Sequence, residues 1–414
     1  MFLKIIESLR QILSENAYIN IVVNNTIEKN AFSEYEKKLY TKIVYGVVEN
    51  KLSIDYQLQP FIKGKRVKPF VKNALRVGSY GIDYLHLQDH YLVNSLVETV
   101  KKKDYKASTF VNAILRTYQQ TPRRALPTTD KIKRLSIQYS INEDLVKLLL
   151  KQYPIEVEQI LEVKKHETNT YFINTMKTSI EDLKKCLDKE KIVYKITKEM
   201  ILEVNGSLIG TALFKEKKVI PQDKSSIEVG LVLNPKEHAS VLDCCSAPGS
   251  KTMQLAIMMK NTGEIVAGDI YEHKIKLIES SKKQLGLDNV KPILADATTY
   301  DYQQKFDYIL IDAPCSGLGV IHHKPDLKYQ MNEEKIASIK EIQQKIVEHV
   351  TPFIKPKGII VYSTCTINQD ENELFMRKFL KDHPQFLMLE EIKHLPSDEQ
   401  DGFYICKIQE NSNA

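Results

Sequence analysis

The sequence predicts a multidomain chain: an all-α N-terminal domain, a small α/β middle domain, and an α/β, Rossmann-like C-terminal domain. Three observations carry this. Apolar residues recur at helical spacing up to about residue 120. From Thr170 to about Lys218, short strand-like pieces alternate with one helix. Between Val241 and Cys365, five apolar runs each stop at a carboxylate or a thiol: Asp243, Asp269, Asp296, Asp312 in Asp-Ala-Pro-Cys315, and Ser363-Thr364-Cys365. Ligands bind outside the carboxyl ends of the strands of an open parallel sheet, so these endings describe one site.

A chain of 414 residues is too long for a single core, and 43% hydrophobic with 27% charged residues reads as globular. No apolar run is long enough to span a bilayer. The opening Met1-Phe2-Leu3-Lys4-Ile5-Ile6 is interrupted by Glu7, Arg10 and Glu15 and lacks a signal-peptide pattern, so the cytoplasm is the expected compartment. Six cysteines, at 186, 244, 245, 315, 365 and 406, show no Cys-x-x-Cys pair and no His at zinc spacing; reduced thiols and no metal are expected. A net charge of +6 is mild for this length and says little about partners.

The strand-end pattern resembles the NOL1/NOP2/Sun family of RNA cytosine carbon-5 methyltransferases, and the pairing of Asp-Ala-Pro-Cys with Ser-Thr-Cys is its most specific part. The resemblance covers nearly the whole chain. It implies a class I methyltransferase domain over 221–414, S-adenosyl-L-methionine as cofactor, and small-subunit (16S) rRNA as substrate. A monomer with neither a metal nor a membrane partner is expected.

Over 1–120, Leu3, Ile6, Leu9 and Leu13, and then Leu39, Ile43, Val44 and Val47, mark helix faces. Thr41–Val48, Leu75–Tyr80 and Phe110–Arg116 resemble the NusB-type RNA-binding helical domain. Lys63, Lys65, Arg66, Lys68, Lys72 and Arg76 form a basic run broken by Gly64 and Pro69, a composition suited to phosphate contacts, although charge runs are more often only solvated. Lys101, Lys102 and Lys103 are a weaker cluster. Residues 121–135, with Pro122 and Pro127, read as a linker.

Residues 136–220 read as the small, RRM-like α/β domain that precedes the catalytic domain in the family. Where the family has Arg-x-Asn, this chain has Phe172-Ile173-Asn174; Asn174 is the remaining candidate for RNA contact, an ordinary strand asparagine being the alternative. Gln222-Asp223 resembles the family's entry into the catalytic domain.

The cofactor carries an adenine, a ribose diol and a charged methionine end. Cys245-Ser246-Ala247-Pro248-Gly249-Ser250-Lys251 has the form of a turn that brings backbone N–H groups and a helix N-terminus to such a ligand, with Cys245 contributing backbone only. A single glycine does not fit the dinucleotide fingerprint. Asp269 is placed to accept from the ribose hydroxyls and Asp296 from the adenine amino group, although a lone strand-end Asp is usually a cap or turn former.

Carbon-5 of cytosine needs a thiolate at carbon-6 before it attacks a methyl group. The resemblance makes Cys365 that nucleophile and Cys315 the thiol that assists release. Asp312 either holds the base edge or lies near the cofactor. Cys186, Cys244 and Cys406 read as small buried hydrophobes. Lys251 and Lys324 are candidate cations for a thiolate. After Cys315 the family has a pair of arginines where His322 and His323 stand and a tryptophan in place of Tyr329; the two histidines are expected to face RNA or solvent, with Lys324 and Lys328 keeping some positive charge for RNA contact. Two alternatives stay open: the same chemistry on tRNA or another rRNA site, and a non-catalytic RNA-binding assembly factor.

Overall fold

The computed structural model describes all residues except 86–88, 165–167, 199 and 412–414, with the backbone alone for 89–91. It divides into two compact units: 1–162 with 321–333, and 163–320 with 334–414.

The first unit is helical. Helices Phe2–Ser14, Ile19–Lys29, Glu34–Glu49, Lys51–Ile62, Pro69–Tyr80, Asp89–Lys101 and Tyr105–Gln120 enclose one core that includes Ile5, Leu9, Tyr40, Val44, Leu75 and Leu115. Local sequence sets their ends. Ser33 and Glu36 form a capping box at Glu34–Glu49, Asp104 caps Tyr105–Gln120, and Pro69 occupies the first turn of its helix, where a missing N–H costs nothing.

The linker expectation for 121–135 gives way to a pinned segment. The Arg123 guanidinium lies 3.9 Å from the Tyr118 ring centroid and pairs with Asp83, while Arg124 lies 4.0 Å from that of Tyr56 and Tyr56 Oη donates to the Ala125 carbonyl. Helix Lys131–Gln138 already starts inside it. The domain boundary moves as well: 136–162, expected in the middle domain, forms helices that belong to the helical unit.

The second unit holds two sheets. The smaller is antiparallel, in the order β2-β3-β1-β4, from β1 Thr168–Ile173, β2 Tyr194–Thr197, β3 Ile201–Asn205 and β4 Val219–Pro221. The larger comprises β5 Ser240–Asp243, β6 Glu264–Asp269, β7 Val290–Leu294, β8 Phe306–Asp312, β9 Ile354–Thr364, β10 Phe386–His394 and β11 Phe403–Glu410. Its order is β10-β11-β9-β8-β5-β6-β7, parallel from β9 to β7, with β11 antiparallel to both β9 and β10. The chain leaves β5 toward β6 and later returns to β8 on the other side, so the switch point lies between β5 and β8. No helix among the described residues is long and apolar enough to cross a membrane.

Candidate active site

At the switch point β5 ends in Asp243, whose Oδ2 accepts from Thr252 Oγ1 at 2.7 Å. The turn that follows is tied to β6: Ser246 donates twice, from N and Oγ, to the Gly268 carbonyl, each at 2.9 Å. Gly249 then takes φ +106° and starts helix Ser250–Met258, a backbone conformation L side chains rarely adopt. This is the physical reason for a glycine there.

A cleft of about 340 Å³ opens over these strand ends, within the range of small-molecule sites. Cys245, Ala247, Asp269, Asp296, Asp312 and Pro314 line it, with Ile270, Tyr271, Ile342 and Ile346. Cys245, expected to offer backbone only, is among the lining residues. Asp269, nearly buried, accepts from Tyr271 N at 3.1 Å and Lys274 Nζ at 3.4 Å. The hydroxyl and backbone N–H of Thr298 hold the Asp296 carboxyl below its ordinary range. Among the described residues, Asp243 Oδ1 is a buried oxygen with no partner.

Beyond the cleft lies the thiol pair. Cys315 Sγ and Cys365 Sγ are 3.3 Å apart, each half-buried. Backbone bonds hold the two loops side by side: Ala313 N donates to the Ser363 carbonyl at 2.9 Å and Gly319 N to the Cys365 carbonyl at 3.1 Å. Asp312 joins cleft and thiols, accepting from Lys251 Nζ at 2.8 Å and Ser363 Oγ at 2.9 Å. Burial pulls the Lys251 pKa down, but Asp312 and negative charge at Cys365 outweigh it and hold the ammonium above its ordinary range. The Cys315 thiol is pushed well up, first by its hydrogen bond with Cys365 and then by burial.

The structure therefore brings Cys245 to Lys251, Asp269, Asp296, Asp312, Cys315 and Cys365 together at one end of one sheet. It treats the expected RNA-facing residues unequally. Lys63, Lys65, Arg66 and Lys68 are exposed on the helical unit. Arg76 is not available for phosphate: it is buried and grips Asp55 with Nε at 2.8 Å and Nη2 at 2.7 Å.

Asn174 is also a correction. It is 1% exposed and its side chain is spent on the Lys217 carbonyl and Met176 N. Phe172, in the family's arginine position, is fully buried and packs with Ile227 and Val229 of helix Lys224–Leu233.

Residues 321–333 pack within the helical unit. Lys328 is only 8% exposed and donates to the Tyr139 carbonyl, contrary to the expectation of an RNA-facing charge. Tyr329 is held by the Glu49 carbonyl and by Lys51 over its ring. His322 is nearly buried with its ring 4.2 Å from that of His323, which is half-buried, and Lys324 is exposed.

Sequence reasoning leaves Thr252, Ser363 and Glu371 unassigned. Asn372, just before helix Glu373–Asp382, makes no side-chain cap bond; it accepts from Thr364 Oγ1 and donates to the Thr366 carbonyl.

The family model for the 16S rRNA methyltransferase RsmB/F matches residues 230–409, and that for the NusB family matches 3–120. The probable ribosomal RNA small subunit methyltransferase B of Bacillus subtilis is 34% identical over 98% of this chain and 97% of its own length. The protein of the same description from Synechocystis is 30% identical over 91% of this chain and 87% of its own. Among solved structures, PH0851 superposes with a TM-score of 0.83 at 24% identity, over 98% of this chain and 97% of its own, a likeness of fold. With its helical unit, its strand-end site and relatives that match end to end, the chain belongs to the RsmB/F family of 16S rRNA methyltransferases.

Proposed function

We propose that this chain transfers the methyl group of S-adenosyl-L-methionine to carbon-5 of a cytosine in small-subunit (16S) rRNA, through a covalent adduct of Cys365 at carbon-6. The observation that carries the reading is the 3.3 Å approach of two thiols beside a Lys251–Asp312 pair at the switch point. The family names and the substrate named for the relatives support rRNA as the acceptor.

The residues of the cleft fit the cofactor. Asp269 offers carboxylate oxygens for a ribose diol and Asp296 an acceptor for the adenine amino group. The backbone of Ala247 to Ser250 and the helix N-terminus after Gly249 suit the methionine carboxylate, and the unpartnered Asp243 Oδ1 leaves a buried acceptor beneath the turn. The bound cofactor supplies an electrophilic methyl group.

The chain's own groups do the rest. The Cys365 thiolate, favoured by the Lys251 charge, forms a bond to carbon-6, and electron density moves to carbon-5, which takes the methyl. Asp312, fixed from both sides, meets the base edge. Cys315, whose proton is held tightly, first gives that proton to solvent water; the resulting thiolate takes the carbon-5 proton, and the carbon-6–sulfur bond breaks to release Cys365 as a thiolate. The target base leaves its stack or already lies unpaired, because a thiol reaches carbon-6 only from above the ring.

Bisulfite sequencing of 16S rRNA after reaction with the wild-type chain or Cys365→Ala tests this. One cytosine protected only by the wild type is the expected result. Protection retained with Cys365→Ala would overturn it.

A further inference from the structure

We propose that Glu371 is a positioning residue for the two-thiol reaction: its buried carboxylate ties the loop carrying Cys315 to the loop carrying Cys365 and so fixes the spacing of the sulfurs. The inference rests on reading Cys315 and Cys365 as the reacting thiols.

Glu371 is 0% exposed, and among the described residues its side chain's hydrogen-bond partners are neutral donors. Oε2 accepts from Ser316 N at 2.9 Å and Gln343 Nε2 at 3.1 Å; Oε1 accepts from Ser316 Oγ at 2.5 Å and Asn368 Nδ2 at 2.9 Å. Four donors on two oxygens are what an acceptor-only carboxylate satisfies and an amide does not. Burying such a group costs several kcal/mol unless it is well bonded, so its partners are held as firmly as it is.

Those partners flank the thiols. Ser316 follows Cys315 directly, and Gln343 Nε2 also donates to the carbonyl of Pro314, the residue before it, at 2.8 Å. Thr366 follows Cys365, and its Oγ1 lies 2.7 Å from Ser316 Oγ. Asn368 lies on the same loop, and Tyr362 Oη on β9 donates to the Glu371 carbonyl at 2.8 Å. Both loops are therefore clamped next to their sulfur through one side chain. The negative charge of Glu371 also adds to what keeps the proton on Cys315, behind the Cys365 hydrogen bond and burial.

The test compares wild type, Glu371→Gln and Glu371→Asp in the full-length chain. Glu371→Gln keeps size but places an amide donor among donors; Glu371→Asp keeps the acceptor set on a shorter arm. S-adenosylhomocysteine affinity, measured by calorimetry, reports whether the cleft is intact.

With the cleft intact, Glu371→Gln is expected to lower kcat by about 100-fold with KM for 16S rRNA little changed, as sulfur misplacement of about 1 Å would, and Glu371→Asp to recover part of it. A second readout needs no RNA. Diamide takes two protons and two electrons from a neighbouring thiol pair, giving a disulfide and its hydrazine, and mass spectrometry follows the rate of Cys315–Cys365 closure. That rate is expected to fall about tenfold or more in Glu371→Gln, since closure needs the sulfurs in register.

Wild-type kcat or wild-type closure in Glu371→Gln overturns the proposal. If that variant does not fold, Ser316→Ala removes one strut and is judged by the same two readouts. If the wild type methylates no cytosine, the proposed function fails, while the closure rates still decide the role of Glu371.

Discussion

Replacing the Asp243 carboxyl with an amide, Asp243→Asn, is expected to change how stability depends on pH, by an amount the structure sets. Asp243 is fully buried at the end of β5; burial, with the nearby charges of Asp312 and Asp269, pushes its carboxyl up to about 7 against Thr252 and Lys251, from an ordinary 3.8. The folded state therefore keeps a proton that the unfolded chain releases near pH 3.8. Stability from this group is complete below about pH 4, declines as pH rises, and is gone above about pH 7. A rise of about three units corresponds to about 4 kcal/mol over the whole window, and to about 3 kcal/mol between pH 5 and pH 8. The variant's amide has no such proton to lose and keeps an oxygen for Thr252. Urea unfolding of both proteins without cofactor, from about pH 5 to about pH 8, is the assay. The stability of Asp243→Asn relative to wild type should climb by about 3 kcal/mol across the range. A constant difference would refute the reasoning and place the Asp243 carboxyl at an ordinary pKa.

Four further outcomes follow from named residues. Cys365→Ala should abolish both product and covalent RNA adduct, a loss of at least about a thousandfold, while Cys315→Ala should let the adduct form and accumulate as a shifted band on a denaturing gel. Gly319→Ala should destabilise the second unit by about 3 kcal/mol, because a Cβ there would stand 2.0 Å from the Gly402 carbonyl oxygen and 2.9 Å from that of Cys365; urea midpoints read it. Arg76→Met should cost the helical unit about 3 kcal/mol in thermal or urea unfolding, since Asp55 is left with Lys51 and Lys72 at 3.6 and 3.5 Å in place of a two-pronged guanidinium.

What is legible in the sequence is where the five parallel strands of the larger sheet end. An apolar run that halts at Asp, or at Ser-Thr-Cys, marks both a sheet and the edge where its chemistry sits, because period and punctuation are local. What was illegible depended on partners far along the chain. Residues 121–135 read as a linker because two prolines and two arginines are locally a loop; that Arg123 and Arg124 stack on Tyr118 and Tyr56 is a tertiary fact. Lys328 reads as a surface charge until the Tyr139 carbonyl receives it. Strand β10 went unread because its apolar alternation runs outward, with Leu387 and Leu389 exposed and Phe386 buried. Glu371 reads as part of a helix start, and only the fold brings Ser316 and Gln343 to it.

The two thiols share one environment but not one electrostatic setting, and on the proposed reading this difference assigns their roles. The hydrogen bond with Cys365, then burial, and then the nearby charge of Glu371 hold the Cys315 proton in place. Lys251 owes part of its raised pKa to negative charge at Cys365, so by reciprocity the ammonium favours a thiolate there. One thiol is thereby biased to attack first and the other to keep its proton until a base is needed. Exchanging the sulfurs would set the nucleophile against a carboxylate and the proton-holder toward a lysine. When Cys365 is lost, the hydrogen bond that does most to hold the Cys315 proton goes with it, and only burial and the Glu371 charge still oppose a thiolate at Cys315.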